Sequence, residues 1–294
     1  MANELKYKRR LGDRVEGRRI RTLDPIHQLM AYIMVKKNDA CNYFSDSIEV
    51  TEIDRYLRHL RQNGYPGIGM LHLMTAAYLR MAARYPGINR FIGGQRVFAR
   101  HEAELVMTIK TEMKIDSPET SIKVPFAVDE TLFDVYNKLN THVESVKSAN
   151  ETKTDDIAKV FARIPGLVLK FTIFFLTLLD YFGKIPRKVL EASPFHGSVI
   201  ITDLGSIGLP PIYHHIYNFG NLPLFICMGM KRKIYELQKD GSVEQRKYLD
   251  ISFVLDERVV DGFYFSQVYR YFRAIMKNPA MLELPPEEVV RDVD

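Results

Sequence analysis

The chain has 294 residues, enough for one large domain or two small ones with a sizeable core. With 46% hydrophobic and 26% charged residues it reads as an ordinary soluble globular protein, without internal repeats or low-complexity linkers. Its two cysteines, Cys41 and Cys227, exclude a disulfide framework, and the N-terminus lacks the apolar stretch of a secretory signal.

These features predict a reducing, cytoplasmic setting. Residues 1–21 carry Lys6, Lys8, Arg9, Arg10, Arg14, Arg18, Arg19 and Arg21 against Glu4, Asp13 and Glu16. That surplus equals the net charge of +5 for the whole chain, so the remainder is balanced. Residues 1–20 are read as a basic arm and 21–294 as one domain. Without interleaved aromatics the arm is read as a solvated arm that folds over its own or a neighbouring subunit, and nucleic acid is not expected as a partner.

In chain order, Asp24-Pro25 is a helix start, with Ile26, Leu29, Met30, Ile33 and Met34 as its apolar stripe. "NYFSDSIEV" reads as a strand. Thr51 and Asp54 have capping-box spacing for a helix that stops near Gly64. "GYPGIGM" lacks the third glycine and the preceding strand of a dinucleotide fingerprint, so it reads as a loop. A helix covers about 70–84 and halts before Pro86. "ELVMTIKTE" and "SIKVPFAV" follow as strands, then a polar helix over 131–150. "HEAEL" at 101 has no second histidine in register for a zinc site, and the Asn150-Glu151-Thr152 sequon has meaning only in a secreted protein.

Phe171–Leu179 is the most apolar run. Lys170 and Asp180 bracket only nine residues, against about 20 needed to span a bilayer. A buried or interface helix is the first reading, and interfacial membrane attachment the second. "GSVIITDLGSIG", "LPLFICMGM" and "LDISFVLDE" are strands, with a turn at Asp240-Gly241. The last helix carries Phe265, Val268, Tyr269, Phe272, Ile275 and Met276 on one face and ends at Asn278-Pro279. Mixed strands and helices without a clean βαβ rhythm predict an α/β domain of two layers, a mixed sheet with helices on it.

Taken together, these segments resemble the catalytic domain of the dihydrolipoamide acyltransferases of 2-oxo acid dehydrogenase complexes, which share the chloramphenicol acetyltransferase fold. The resemblance runs from about Arg18 to Pro285. "RIRTLDPIHQLMAYIMVKKNDACNYF" is similar to the family's opening helix and first strand, and "LMTAAYLRMAARYPGINRF" to its central helix. "VIITDLGSIG" resembles the family's apolar strand followed by Ser or Thr, Asn and Leu-Gly. "LDERVVDG" resembles its Asp-His-Arg-Val-Val-Asp-Gly signature.

The resemblance implies acyl transfer from coenzyme A at a subunit interface, in a homotrimer or a larger cage. Such chemistry needs a base for the attacking thiol and a donor for the tetrahedral oxyanion. By position the donor is Thr202, the loop aspartate, commonly held by an arginine, is Asp261, and the base position holds Glu257 where the family has histidine. Thr202 is also a β-branched residue that simply suits a strand. A thiol of pKa about 8.5 faces a histidine of about 6.5 or a glutamate of about 4.3, so the uphill proton transfer grows from roughly 3 to nearly 6 kcal/mol. Desolvation of Glu257 would recover part of this; alternatively, charges among Asp256, Arg258 and Asp261 only fix the loop.

Two further departures stand out. Only about 20 residues precede the core, so no lipoyl attachment is expected in this chain. The apolar stretch 164–186 replaces a charged helix ahead of "RKVLEASPFHGS", and the loop "LPPIYHHIYNFGNLP" is longer than usual by a residue or two. His196, His214 and His215 thus lie in or near segments flanking the implied site, where any of them could replace the missing base. Adjacent His214 and His215 point different ways and make a poor metal pair, so no metal is expected. Two readings stand: an acyl-CoA-dependent acyltransferase with altered chemistry, or a non-catalytic oligomeric scaffold that keeps the fold. A weaker third combines 164–186 with the basic arm as a membrane-surface anchor.

Overall fold

The computed structural model describes residues 9–110, 119–149, 159 and 161–294. Lys6, Lys8, Glu4, the Thr111-Glu112 end of the first predicted central strand and the Asn150 sequon lie outside the described residues.

Six strands form the main sheet: β2 (Cys41–Glu49), β5 (Ala103–Lys110), β6 (Glu119–Phe126), β7 (Val199–Asp203), β8 (Leu224–Leu237) and β9 (Val243–Asp256). Their order across it is β2-β9-β8-β7-β5-β6. β7 runs parallel to both β5 and β8, while the outer pairs are antiparallel, so the sheet is mixed. Alternation along each strand decides its two faces. Val199 and Ile201 of β7 enter the main core with Ile226, Ile251 and Phe253, whereas Ile200 joins Val106, Phe225 and Val254 on the other face.

The main core lies between the sheet and helices α2 (Thr51–Gln62), α3 (Met70–Arg84), α4 (Leu132–Ala149) and α7 (Gly262–Lys277). Leu73, Met74 and Leu79 of α3 and Val268, Phe272 and Ile275 of α7 fill it. The second face carries only a small cluster, closed by Ile216 and Leu222 from the loop 208–223. The expected two-layer α/β architecture is present. Helices α1 (Pro25–Ile33), α5 (Gly166–Tyr181) and α6 (Arg187–Ala192) lie outside the main core.

A second, three-stranded antiparallel sheet was not among the sequence expectations. It comprises β1 (Gly17–Arg19), β3 (Arg90–Gly93) and β4 (Arg96–Arg100), in the order β1-β4-β3. Gly94 and Gln95 both have positive φ and make a two-residue hairpin turn, for which "GGQ" is the sequence signal. A Cβ on Gly17 would approach Phe91 to 2.6 Å and the Ala99 carbonyl to 2.7 Å, so only glycine lets β1 pair there.

Three expectations need correction. Thr51 and Asp54 do not cap α2: Thr51 Oγ1 accepts from the Lys247 amide of β9 (2.9 Å), and Asp54 pairs with Lys231 and Lys247. The sheet competes for the hydroxyl and wins. The same spacing at Thr131 and Asp134 does form the reciprocal cap of α4, the Thr131 hydroxyl accepting from the Asp134 amide and the Asp134 carboxylate from the Thr131 amide. Second, of the two alternatives given for this segment, burial within the chain is excluded, since not one residue of α5 is buried. Third, the basic segment is partly internal. Arg14 and Arg18 are buried, Arg14 against Asp180 and Glu16 and Arg18 against Asp294.

Phe272 is fully buried between α7 and the sheet. Phe272→Ala should cost about 3–5 kcal/mol of stability, read as a lowered urea midpoint with an unchanged slope.

Candidate active site

Glu257 follows the last residue of β9, and its position is set by its neighbours. Arg258 is buried and grips Asp256 through Nε (2.8 Å) and Nη2 (2.7 Å), while its own amide donates to the same carboxylate (3.1 Å). Its Nη1 reaches the carbonyls of Met34 (3.0 Å) and Val35 (3.3 Å) just past α1. His27 Nε2 lies 3.1 Å from the Arg258 carbonyl, and the Glu257 amide donates to Ala40. The aspartate gripped by arginine is therefore Asp256. Asp261, expected in that role, instead caps α7 by accepting from the Tyr264 amide (2.7 Å).

Held this way, the Glu257 side chain is half-buried and has no hydrogen bond or ion pair among the described residues. Lys37, within electrostatic reach of Asp256 and Arg258, is buried and donates to the Gly220 carbonyl (2.9 Å). Burial pushes its amine down to about 8, with Asp256 pulling the other way.

Thr202 sits at the far end of β7, half-buried, on the face opposite the main core. Its Oγ1 is 3.5 Å from His214 Nε2, the outer limit of a hydrogen bond. The His214 ring stacks on Phe225 at 4.1 Å, and the loop that carries it is pinned to the sheet. Ser252 donates to the Ile212 carbonyl (2.5 Å), and Tyr213 to Ser45 (2.8 Å). Burial lowers the His214 pKa, and its neighbour His215 lowers it further, so the imidazole is neutral at pH 7.

Of the three histidines, only His214 meets Thr202. His215 is exposed, its ring edge-on to Tyr217. His196 is fully enclosed: Nδ1 bonds Ser193 Oγ (2.7 Å), and Nε2 faces Asp180 at 3.4 Å without hydrogen-bond alignment. Burial lowers the His196 pKa despite Asp180. Burial also acts to raise the Asp180 carboxyl, but His196 and Arg14 override it and hold it low.

One chain does not bring Thr202 and Glu257 together. Thr202 is in register with Cys227, and Cys227 with Ser252, five residues before Glu257. Five residues along a strand and two strands across are about 17 Å by about 10 Å. A cleft of about 820 Å³ lined by Arg100, Glu104, Lys123, His142, Leu190 and Glu191 contains neither residue, nor Asp261. Lys123, pushed down to about 8 by burial, donates there to the Leu190 carbonyl. No sequence signal singled out this cleft, whose walls come from distant segments.

Two outcomes follow. Asp256→Ala strands the buried Arg258 charge and should cost about 3–5 kcal/mol in denaturant unfolding. His196 has a lowered folded pKa, so its contribution is complete above the unfolded value of about 6.5 and is lost as pH falls below it. His196→Gln should flatten the fall of melting temperature below pH 6.5 relative to the native chain.

No family model and no curated protein matches the sequence. Solved structures do match in shape. Azotobacter vinelandii dihydrolipoamide acetyltransferase is 13% identical, with a TM-score of 0.56 over 90% of this chain and 94% of that one. The cubic core of a pyruvate dehydrogenase multienzyme complex is 13% identical, with a TM-score of 0.51 over 90% and 94%. A chloramphenicol acetyltransferase is 11% identical, with a TM-score of 0.51 over 88% and 99%. Together with the mixed six-stranded sheet and its helical layer, these likenesses show that the chain has the chloramphenicol acetyltransferase-like fold of the 2-oxo acid dehydrogenase acyltransferase cores.

Proposed function

We propose that the protein binds acyl-CoA between copies of itself and transfers the acyl group to a thiol or amine acceptor, with slowed chemistry at the base position. The observation that carries this reading is the distribution of the two key groups. Thr202 and Glu257 lie about 20 Å apart in one chain, and the Glu257 carboxylate has no partner among the described residues. A second copy that sets its Glu257 toward Thr202 would complete a site that neither copy holds alone. The cubic assembly of the pyruvate dehydrogenase core supports an oligomer, a trimer or a larger cage, as the working form.

In that site the acceptor thiol gives its proton to Glu257. The thiolate then attacks the thioester carbonyl, a new carbon–sulfur bond forms, and coenzyme A leaves as the old one breaks, its sulfur taking the proton back from Glu257. Thr202 Oγ donates to the oxyanion in between. A carboxylate is an inferior base for a thiol, so turnover is low. The Thr202–His214 contact favours a second reading, in which neutral His214 takes the proton and Glu257 only lines the site. A third outcome, coenzyme A bound without turnover, would assign the chain to the scaffold class.

The test follows release of free coenzyme A from acetyl-CoA with a dithiol or amine acceptor. Thr202→Ala should lower kcat by about 10²–10³-fold. Glu257→His should raise it, and His214→Ala should leave it unchanged unless His214 is the base. Turnover indifferent to Thr202→Ala, Glu257→Ala and His214→Ala alike would overturn the mechanism. Light scattering should report a multiple of the 34.1 kDa chain, and a clean monomer would remove the shared site.

A further inference from the structure

Helix α5 poses a problem that acyl transfer does not solve. A helix apolar on nearly every side belongs in a core or a lipid phase, yet no residue of α5 is buried. Its periodicity shows how it is seated. Leu169, Leu176, Leu179 and Asp180 share one side and are half-buried, facing the body of the protein. The outward side carries Leu167 (71% exposed), Phe171 (66%), Phe174 (65%), Phe175 (57%) and Leu178 (43%), continued just beyond the helix by Phe182 (65%). A continuous row of aromatic rings is a surface that water leaves at a gain in free energy.

Within residues 163–190 the exposed charges are all basic. Arg163, Lys170, Lys184 and Lys188 are exposed and have no ion-pair partner among the described residues. The only carboxylate within residues 163–190 is Asp180, and it is occupied by Arg14 (3.0 Å) and by His196 (3.4 Å). Arg14 also donates to the Asp180 and Tyr181 carbonyls, so the C-terminal end of α5 is tied to the body and the aromatic row is held outward. A second copy laid face to face would bring four unpaired cations against four others. A surface of anionic phosphates would match them.

We propose that α5 docks the protein on an anionic lipid bilayer, its aromatic row inserted at the headgroup boundary and its flanking lysines and arginine on the phosphates. The helix lies in the plane of the surface and does not cross. Its 16 residues are about 24 Å long against a hydrocarbon core of about 30 Å, and no helix among the described residues is long and apolar enough to span. The proposal is independent of the acyl chemistry, since it uses none of Thr202, His214 or Glu257.

The test is co-sedimentation of the full chain with vesicles of phosphatidylcholine alone or with about one part in four of phosphatidylglycerol. Binding should need the anionic lipid at about 50 mM salt and should fall several-fold at about 500 mM. Phe171→Glu with Phe174→Glu should lower partitioning at least about tenfold while leaving the circular dichroism spectrum and coenzyme A release intact. The chain contains no tryptophan, so Phe174→Trp provides a single reporter whose emission should shift to the blue and be quenched by brominated lipid. That reading does not depend on the double variant folding. No pelleting with anionic vesicles at low salt, or unshifted and unquenched emission from the Phe174→Trp chain, would overturn the proposal. So would a change of oligomeric mass in Phe171→Glu/Phe174→Glu with vesicle binding unaltered, which would assign the face to a second copy.

Discussion

The end of β9 is governed by one buried ion pair. Asp256 and Arg258 are two residues apart, nearly inaccessible to water, and joined by two bonds from the Nε–Nη2 edge of the guanidinium. Removing two such charges from water costs several kcal/mol each, and the cost is offset only where the remaining donors and acceptors are also satisfied. Here they are, because Arg258 extends to the carbonyls after α1 and Asp256 accepts a backbone amide. The pair thereby locks β9 to α1 and leaves the intervening residue, Glu257, with its side chain turned out of the network. The loop is rigid for electrostatic reasons, whatever residue occupies the middle position.

This arrangement explains how the loop keeps its shape whatever side chain stands between Asp256 and Arg258. Neither Asp256 nor Arg258 depends on the side chain of Glu257. At the other end of the sheet, Thr202 is presented by the same alternation that sends Val199 and Ile201 into the core. The second sheet face is thinly covered, by a single loop pinned through Ser252 and Tyr213. A face with so small a core of its own suits an interface, and Thr202 and Glu257 stand at its two ends.

Local pattern was a good guide wherever the local environment had no competitor. Asp24-Pro25 caps and opens α1, and Pro86 and Asn278-Pro279 end α3 and α7 as their chemistry requires. The paired motifs at Thr51 and Thr131 mark the limit. Both have capping-box spacing, but the Lys247 amide captures the Thr51 hydroxyl, while the Thr131 hydroxyl stays on its own helix at the Asp134 amide. The histidines behave alike. Sequence placed His196, His214 and His215 near the site without ranking them, and burial against Ser193 and Asp180 withdraws His196 while stacking on Phe225 brings His214 to Thr202.

By itself, the sequence determined the fold class and the order along the chain of the six main-sheet strands and the core helices, because periodicity, caps and an ordered set of motifs are local properties of a chain. Only the tertiary structure decided which aspartate grips Arg258, that Asp261 is a helix cap, which histidine meets Thr202, and that α5 turns its phenylalanines outward. These depend on which residues compete for the same donor or the same buried volume, and that competition exists only once distant segments have been folded against one another.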